Sequence, residues 1–118
     1  MFEIQIQDKF DSAHNLRGYN GPCENLHGHC YKVVAIFRFE QLDELGMAMD
    51  FTIAKKHLKE IVDFLDHTYL NELEPFLVKN PTAENIAYYI HRQLKSNINE
   101  LYSISIWETT NSCATYYE

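Results

Sequence analysis

Residues 23–39 read Cys23-Glu24-Asn25-Leu26-His27-Gly28-His29-Cys30-Tyr31-Lys32-Val33-Val34-Ala35-Ile36-Phe37-Arg38-Phe39, a thiol and two imidazoles running straight into a string of strand-forming side chains. Odd positions of the string carry Tyr31, Val33, Ala35, Phe37 and Phe39, and even ones carry Lys32, Val34, Ile36 and Arg38. Both faces are partly apolar, which calls for a sheet covered by helices on one side and by something else, such as another subunit, on the other. Upstream, Phe2, Ile4 and Ile6 alternate with Glu3, Gln5 and Gln7, the pattern of a strand that would pair with this one. In extended chain, residues two apart face the same way, so His27 and His29 turn both rings to one side while Gly28 leaves backbone room. His14, just past the first strand, is the third candidate ligand. Three neutral imidazoles with a fourth position open form the donor set of catalytic rather than structural zinc, so we read His14, His27 and His29 as ligands of one Zn2+. Cys23 follows a loop of turn residues (Gly18, Asn20, Gly21 and Pro22) and stands close enough to approach a substrate there.

Working outward, Ala54, Leu58, Ile61, Val62 and Leu65 follow the spacing of one buried helical stripe, with Asp50 or Thr52 as cap. A second helix opens at Pro81-Thr82 and carries Ala83, Ile86, Ala87, Ile90, Leu94 and Ile98 on one face. Leu101 to Thr109 then alternates as a strand, setting Tyr102, Ile104, Ile106 and Glu108 against Leu101, Ser103, Ser105 and Trp107, and a tail strand lies near 114–117. The expected order is ββααββ. Parallel pairing needs long crossovers, so we expect an α+β fold: a four-stranded antiparallel sheet with both helices on one face.

The 118 residues suit one domain spanning 1–118. A formal charge of -7, from 17 acidic and 10 basic side chains, opposes a nucleic-acid partner, which would draw its affinity from clustered cations. No apolar run approaches the roughly 20 residues of a membrane span, and no charged-then-apolar leader is present, so the expectation is a soluble, cytoplasmic protein with no membrane partner. Three cysteines, an odd number, make no disulfide framework and fit a reducing compartment. Cys30 and Cys113 read as ordinary strand residues, and His57 and His91 as helix-boundary residues without a role.

Several segments, taken in order, carry a resemblance: Phe10-Asp11-Ser12-Ala13-His14, Cys23 to His29, Gly46-Met47-Ala48-Met49-Asp50-Phe51, Leu65-Asp66-His67, Asn80-Pro81-Thr82-Ala83-Glu84-Asn85 and Trp107-Glu108-Thr109. Together they resemble the 6-pyruvoyltetrahydropterin synthase family, nearest its bacterial 6-carboxytetrahydropterin synthase branch of queuosine biosynthesis. The resemblance implies the tunnelling fold, in which such units join edge to edge into a barrel, here a homohexamer, with active sites between subunits. It implies a lyase that converts 7,8-dihydroneopterin triphosphate to 6-carboxy-5,6,7,8-tetrahydropterin with release of acetaldehyde and triphosphate. Relatives that make 6-pyruvoyltetrahydropterin, or cut the side chain to 6-hydroxymethyldihydropterin for folate, are alternatives within the same family. Outside it stands a non-catalytic module in which Cys23 joins the three histidines as a fourth ligand of structural zinc.

The resemblance also assigns roles. Cys23 becomes the base, working with an Asp66-His67 pair from a neighbouring subunit; without it, such a pair at a helix end reads as a polar C-terminus. Glu108 becomes the anchor of the pterin, whose amino-pyrimidine edge offers adjacent N–H donors to one carboxylate. Thr82 and Glu84 line the same pocket, although a cap and an acidic first turn explain both without a ligand. Arg17, Lys32 and Lys79 are candidate cations for the triphosphate. Glu24 competes with Cys23, because the folate branch places a glutamate three residues before the His-Gly-His.

Overall fold

In a computed structural model that describes residues 1–118, the two long strands β1 (Phe2–His14) and β2 (His27–Phe39) form an antiparallel ribbon in unbroken register from Phe2↔Phe39 to His14↔His27. The chain continues through α1 (Phe51–Leu65), β3 (Thr68–Tyr69), α2 (Ala83–Lys95), β4 (Leu101–Thr109) and β5 (Ser112–Tyr117). The sheet has five strands in the order β3-β1-β2-β4-β5, not four. The added strand, β3, pairs parallel with β1 through Ser12↔Thr68 and Ala13↔Tyr69, so the element order is ββαβαββ and the sheet is mixed. Two residues cannot display a period-2 pattern, which is why Thr68–Tyr69 is silent in the sequence.

Both helices cover the same face. Ile6 and Phe10 of β1, Tyr31, Val33, Ala35 and Phe37 of β2, and Ile104 and Ile106 of β4 form one core with Ala54, Leu58, Val62 and Leu65 of α1 and Ile86, Ala87, Ile90 and Leu94 of α2. Ile98 lies beyond the end of α2 and is buried all the same. Asp50 caps α1 by accepting from Thr52 N at 2.8 Å, and Thr82 caps α2 by accepting from Asn85 N at 3.1 Å. Each such cap stabilises its helix by about 1 kcal/mol. His91, expected at a boundary, is 1% exposed and packs edge-on against Tyr116.

Two irregularities interrupt the pairing of β4. A register shift at Ile36/Phe37 sets Phe37 opposite Leu101, sending Leu101 into the core and leaving Tyr102 outside under Arg38, whose guanidinium carbon is 3.4 Å from the ring centroid. The alternation expected for 101–109 therefore breaks at its first two residues. The second shift lies between Trp107 and Thr109, which pair with consecutive residues Cys113 and Ser112, so Glu108 is the extra residue of a β-bulge. Bulges recur beside functional sites, and here Glu108 keeps to the face of Ile104 and Ile106, toward the histidines.

Candidate active site

His14 closes β1 on the face that carries Ile6 and Phe10, and His27 and His29 open β2 on the face that carries Tyr31. The ribbon's register thus brings all three rings to one corner of the core, with ligand nitrogens within 4.8 Å of one another. Two main-chain carbonyls fix the tautomers. His14 Nδ1 donates to Pro81 O at 2.7 Å and His27 Nδ1 to Asn25 O at 2.7 Å, so each presents an Nε2 lone pair inward, and these two atoms lie 2.9 Å apart. The Nε2 of His29 is buried and has no hydrogen-bond partner. Burial holds the pKa of His14 and of His29 below the ordinary histidine value, keeping the rings neutral and leaving a proton a poor bridge between them. Converging neutral lone pairs held by outer carbonyls are what a divalent cation needs, and nothing in the protein satisfies them otherwise. The Cys23 thiol lies outside this group, so the protein supplies three donors and not four. Gly28 is not required for clearance: a Cβ there would meet Ser12 O at 3.6 Å, an ordinary contact.

The bulged Glu108 points at the same corner, with Oε1 3.6 Å from His29 Nε2 and Oε2 3.8 Å from His14 Nε2. It borders a cavity of about 300 Å³ that Thr82, Glu84, Ser112 and Cys113 also line. Thr82, Glu84 and Glu108 therefore share one recess beside the histidines. A second recess of about 430 Å³, with Lys32 and Trp107, opens on the other side of Glu108.

Cys23 sits in a single 3-10 turn, Pro22–Glu24, with its carbonyl accepting from Leu16 N at 2.8 Å. Its side chain is half-buried, whereas Glu24 is exposed. Arg17 is engaged by the protein itself, its guanidinium donating to the carbonyls of Asn71, Phe76 and Val78.

Asp66 and His67 are placed elsewhere, with no hydrogen bond or ion pair to Cys23 or to the three histidines. Asp66 Oδ1 accepts from Asp11 N at 2.9 Å and lies 3.0 Å from His67 Nδ1, while His67 N donates to Asp11 O at 2.6 Å. The Asp11 N–H, and after it the imidazole, hold the Asp66 pKa below the usual carboxylate value. His67 adopts φ 55°, a left-handed conformation uncommon without glycine, and its side chain is 79% exposed. The pair is thus an oriented imidazole–carboxylate presented to solvent. Sequence reasoning missed the residues that hold these groups, namely Asp11, Asn25 and Pro81, because each acts through main-chain atoms that any side chain would bring.

A fold of two helices on a β ribbon, with three histidines at its corner, defines a pterin-synthase-like architecture. The family description "6-pyruvoyl tetrahydropterin synthase" matches residues 3–118, and the chain belongs to that family. It is 35% identical to the 6-carboxy-5,6,7,8-tetrahydropterin synthase of Synechocystis sp., over 99% of this chain and 94% of that one. It is 34% identical to the dihydroneopterin monophosphate aldolase of Pyrococcus furiosus, over 89% of this chain and 88% of that one. The solved structure of Caenorhabditis elegans 6-pyruvoyl tetrahydropterin synthase superposes with a TM-score of 0.91 at 30% identity, covering 99% of this chain and 95% of that one.

Proposed function

We propose that the chain is a zinc-dependent lyase that converts 7,8-dihydroneopterin triphosphate and one water to 6-carboxy-5,6,7,8-tetrahydropterin, acetaldehyde and triphosphate. The observation that carries this reading is the inward convergence of the His14, His27 and His29 Nε2 atoms beside Glu108. Zinc bound there supplies Lewis-acid stabilisation of negative charge developing on the substrate's side-chain oxygens. Glu108 accepts both N–H groups of the pterin's amino-pyrimidine edge, and Thr82 and Glu84 line the recess around the ring. Cys23, half-buried in its turn, takes a side-chain proton, and the Asp66-His67 pair of a neighbouring subunit relays it. The exposure of His67 suits service to another chain. We assign the assembly as a homohexamer working in the cytoplasm, where the three free cysteines stay reduced.

The adjacency of Cys23 and Glu24 favours one second reading, cleavage of the side chain to 6-hydroxymethyldihydropterin with Glu24 as base. A family relative named as an aldolase is in keeping with it. Mass spectrometry of the products from 7,8-dihydroneopterin triphosphate separates the two: 6-carboxytetrahydropterin supports the main reading, and 6-hydroxymethyldihydropterin as main product replaces it with the second. Elemental analysis tests the centre itself. Replacing any one of His14, His27 and His29 by Ala should strip the zinc, and full occupancy in all three variants would rule this ligand set out.

A further inference from the structure

Between His14 and the loop that carries Cys23, residues 15–17 leave β1 and enter a turn at Arg17, and their main-chain groups are satisfied in an unusual way. Asn15 N donates to Asn71 Oδ1 at 3.0 Å and Asn71 Nδ2 donates back to Asn15 O at 2.9 Å. Two residues on, Arg17 N donates to Asn80 Oδ1 at 2.9 Å and Asn80 Nδ2 donates back to Arg17 O at 3.0 Å. Each carboxamide, one acceptor and one donor, stands in for a residue of a paired strand. Leu16, between them, donates its N–H to the Cys23 carbonyl at 2.8 Å. The amides are themselves anchored: Asn71 is 7% exposed, and the Asn80 carbonyl accepts from Asn85 Nδ2 at 2.8 Å at the cap of α2. The next carbonyl, that of Pro81, is the one that orients His14.

We propose that Asn71 and Asn80 are positioning residues for the Cys23 thiol, acting through residues 15–17 and the Leu16–Cys23 hydrogen bond. The inference rests on Cys23 being the base. Without either amide, Asn15 or Arg17 loses its pairing on one edge, the segment is free to shift, and the 3-10 turn shifts with it. Displacement of a reacting group by about 1 Å costs up to roughly a hundredfold in rate; neither amide lines the substrate recess itself, although Leu16 of the clamped segment forms part of its wall.

The test uses Asn71→Ala and Asn80→Ala in the full-length, zinc-loaded protein, with Asn80→Asp as the milder variant that keeps the acceptor for Arg17 N and loses only the return bond. Two readouts are taken on folded protein of verified zinc content: kcat and KM for 7,8-dihydroneopterin triphosphate, and the iodoacetamide alkylation rate of each cysteine by peptide mass spectrometry. Cys30 and Cys113, on β2 and β5, are internal controls. The expected result is a kcat loss between about tenfold and a hundredfold at unchanged zinc content, larger than any change in KM from the Leu16 wall of the recess, with alkylation accelerated at Cys23 alone. Wild-type alkylation at Cys23, or acceleration of all three thiols together, overturns the proposal; so does a Cys23-selective change that leaves kcat intact while Cys23→Ala is inactive. If Cys23→Ala is itself fully active, the base assignment falls, and the clamp is then decided by the alkylation pattern alone.

Discussion

Replacing Glu108 by Gln tests whether the carboxylate at the end of β4 anchors the pterin. The carboxylate is 28% exposed, and its oxygens lie 3.6 and 3.8 Å from two histidine nitrogens, too far for hydrogen bonds and outside the three-histidine group. Glutamine keeps one acceptor but sets an N–H against one of the ring's donors, so at least one charge-assisted hydrogen bond is lost and a donor faces a donor. A hydrogen bond to a charged group contributes about 1.5–3 kcal/mol, so affinity should fall between roughly tenfold and a few hundredfold. Calorimetric titration of the zinc-loaded protein with 7,8-dihydroneopterin, which has the ring without the phosphates, reads this directly. Zinc content should not change, since no glutamate oxygen is needed as a ligand. Wild-type affinity in the variant would refute the anchoring role, and loss of zinc would show that Glu108 belongs to the metal centre instead.

Cys23→Ala should keep its zinc and lose turnover by about a hundredfold to ten-thousandfold, while Glu24→Gln changes little; the reverse ranking moves the chain to the folate branch. Light scattering should find a closed oligomer, and a monodisperse 13.9 kDa particle at working concentration would sink both the assembly and the shared site. His91 gives a pH signature of its own, because burial lowers its pKa below the 6.5 of the unfolded chain, outweighing the Tyr102 main chain and the Glu118 charge that favour the protonated ring. Its contribution to stability is therefore complete above pH 6.5 and is lost as pH falls through the folded value, with a slope of at most about 1.4 kcal/mol per pH unit. Urea titrations of wild type and His91→Leu across that window should show the shallower pH dependence in the variant, and equal slopes would contradict it.

What the sequence discloses and what it hides divide along physical lines. The helices and long strands are legible because Leu58, Val62, Ile86 and Ile90, or Val33 and Phe37, repeat with the period of their element. The histidine centre is legible because strand alternation alone sets His27 and His29 on one face, and His14 follows from antiparallel pairing. The bulge at Glu108 and the shift that sends Leu101 inward leave no mark, since each is one unpaired residue in an otherwise regular run. The pairings of Asn71 and Asn80 leave no mark in the sequence, because their partners are main-chain atoms more than fifty residues away. The Asp66-His67 pair reads as a helix end, and locally it is one; only its exposure and its left-handed backbone set it apart.

Strand β1 is a ruler between two pieces of chemistry. Asp11, which pins the exposed imidazole–carboxylate, and His14, which faces the metal corner, are joined by three residues of unbroken strand, about 10 Å at the usual rise. A strand tolerates no change of that length by one residue, because the slip would turn His14 to the uncovered face and take Ser12 out of its pairing with His29. The first residues of the loop between β2 and α1, by contrast, bring no group to the histidine corner and precede both the core contact of Met49 and the cap at Asp50. Descendants of this chain should therefore vary more readily at residues 40–45 while the interval from Asp11 to His14 stays fixed, a constraint of spacing rather than of any single side chain.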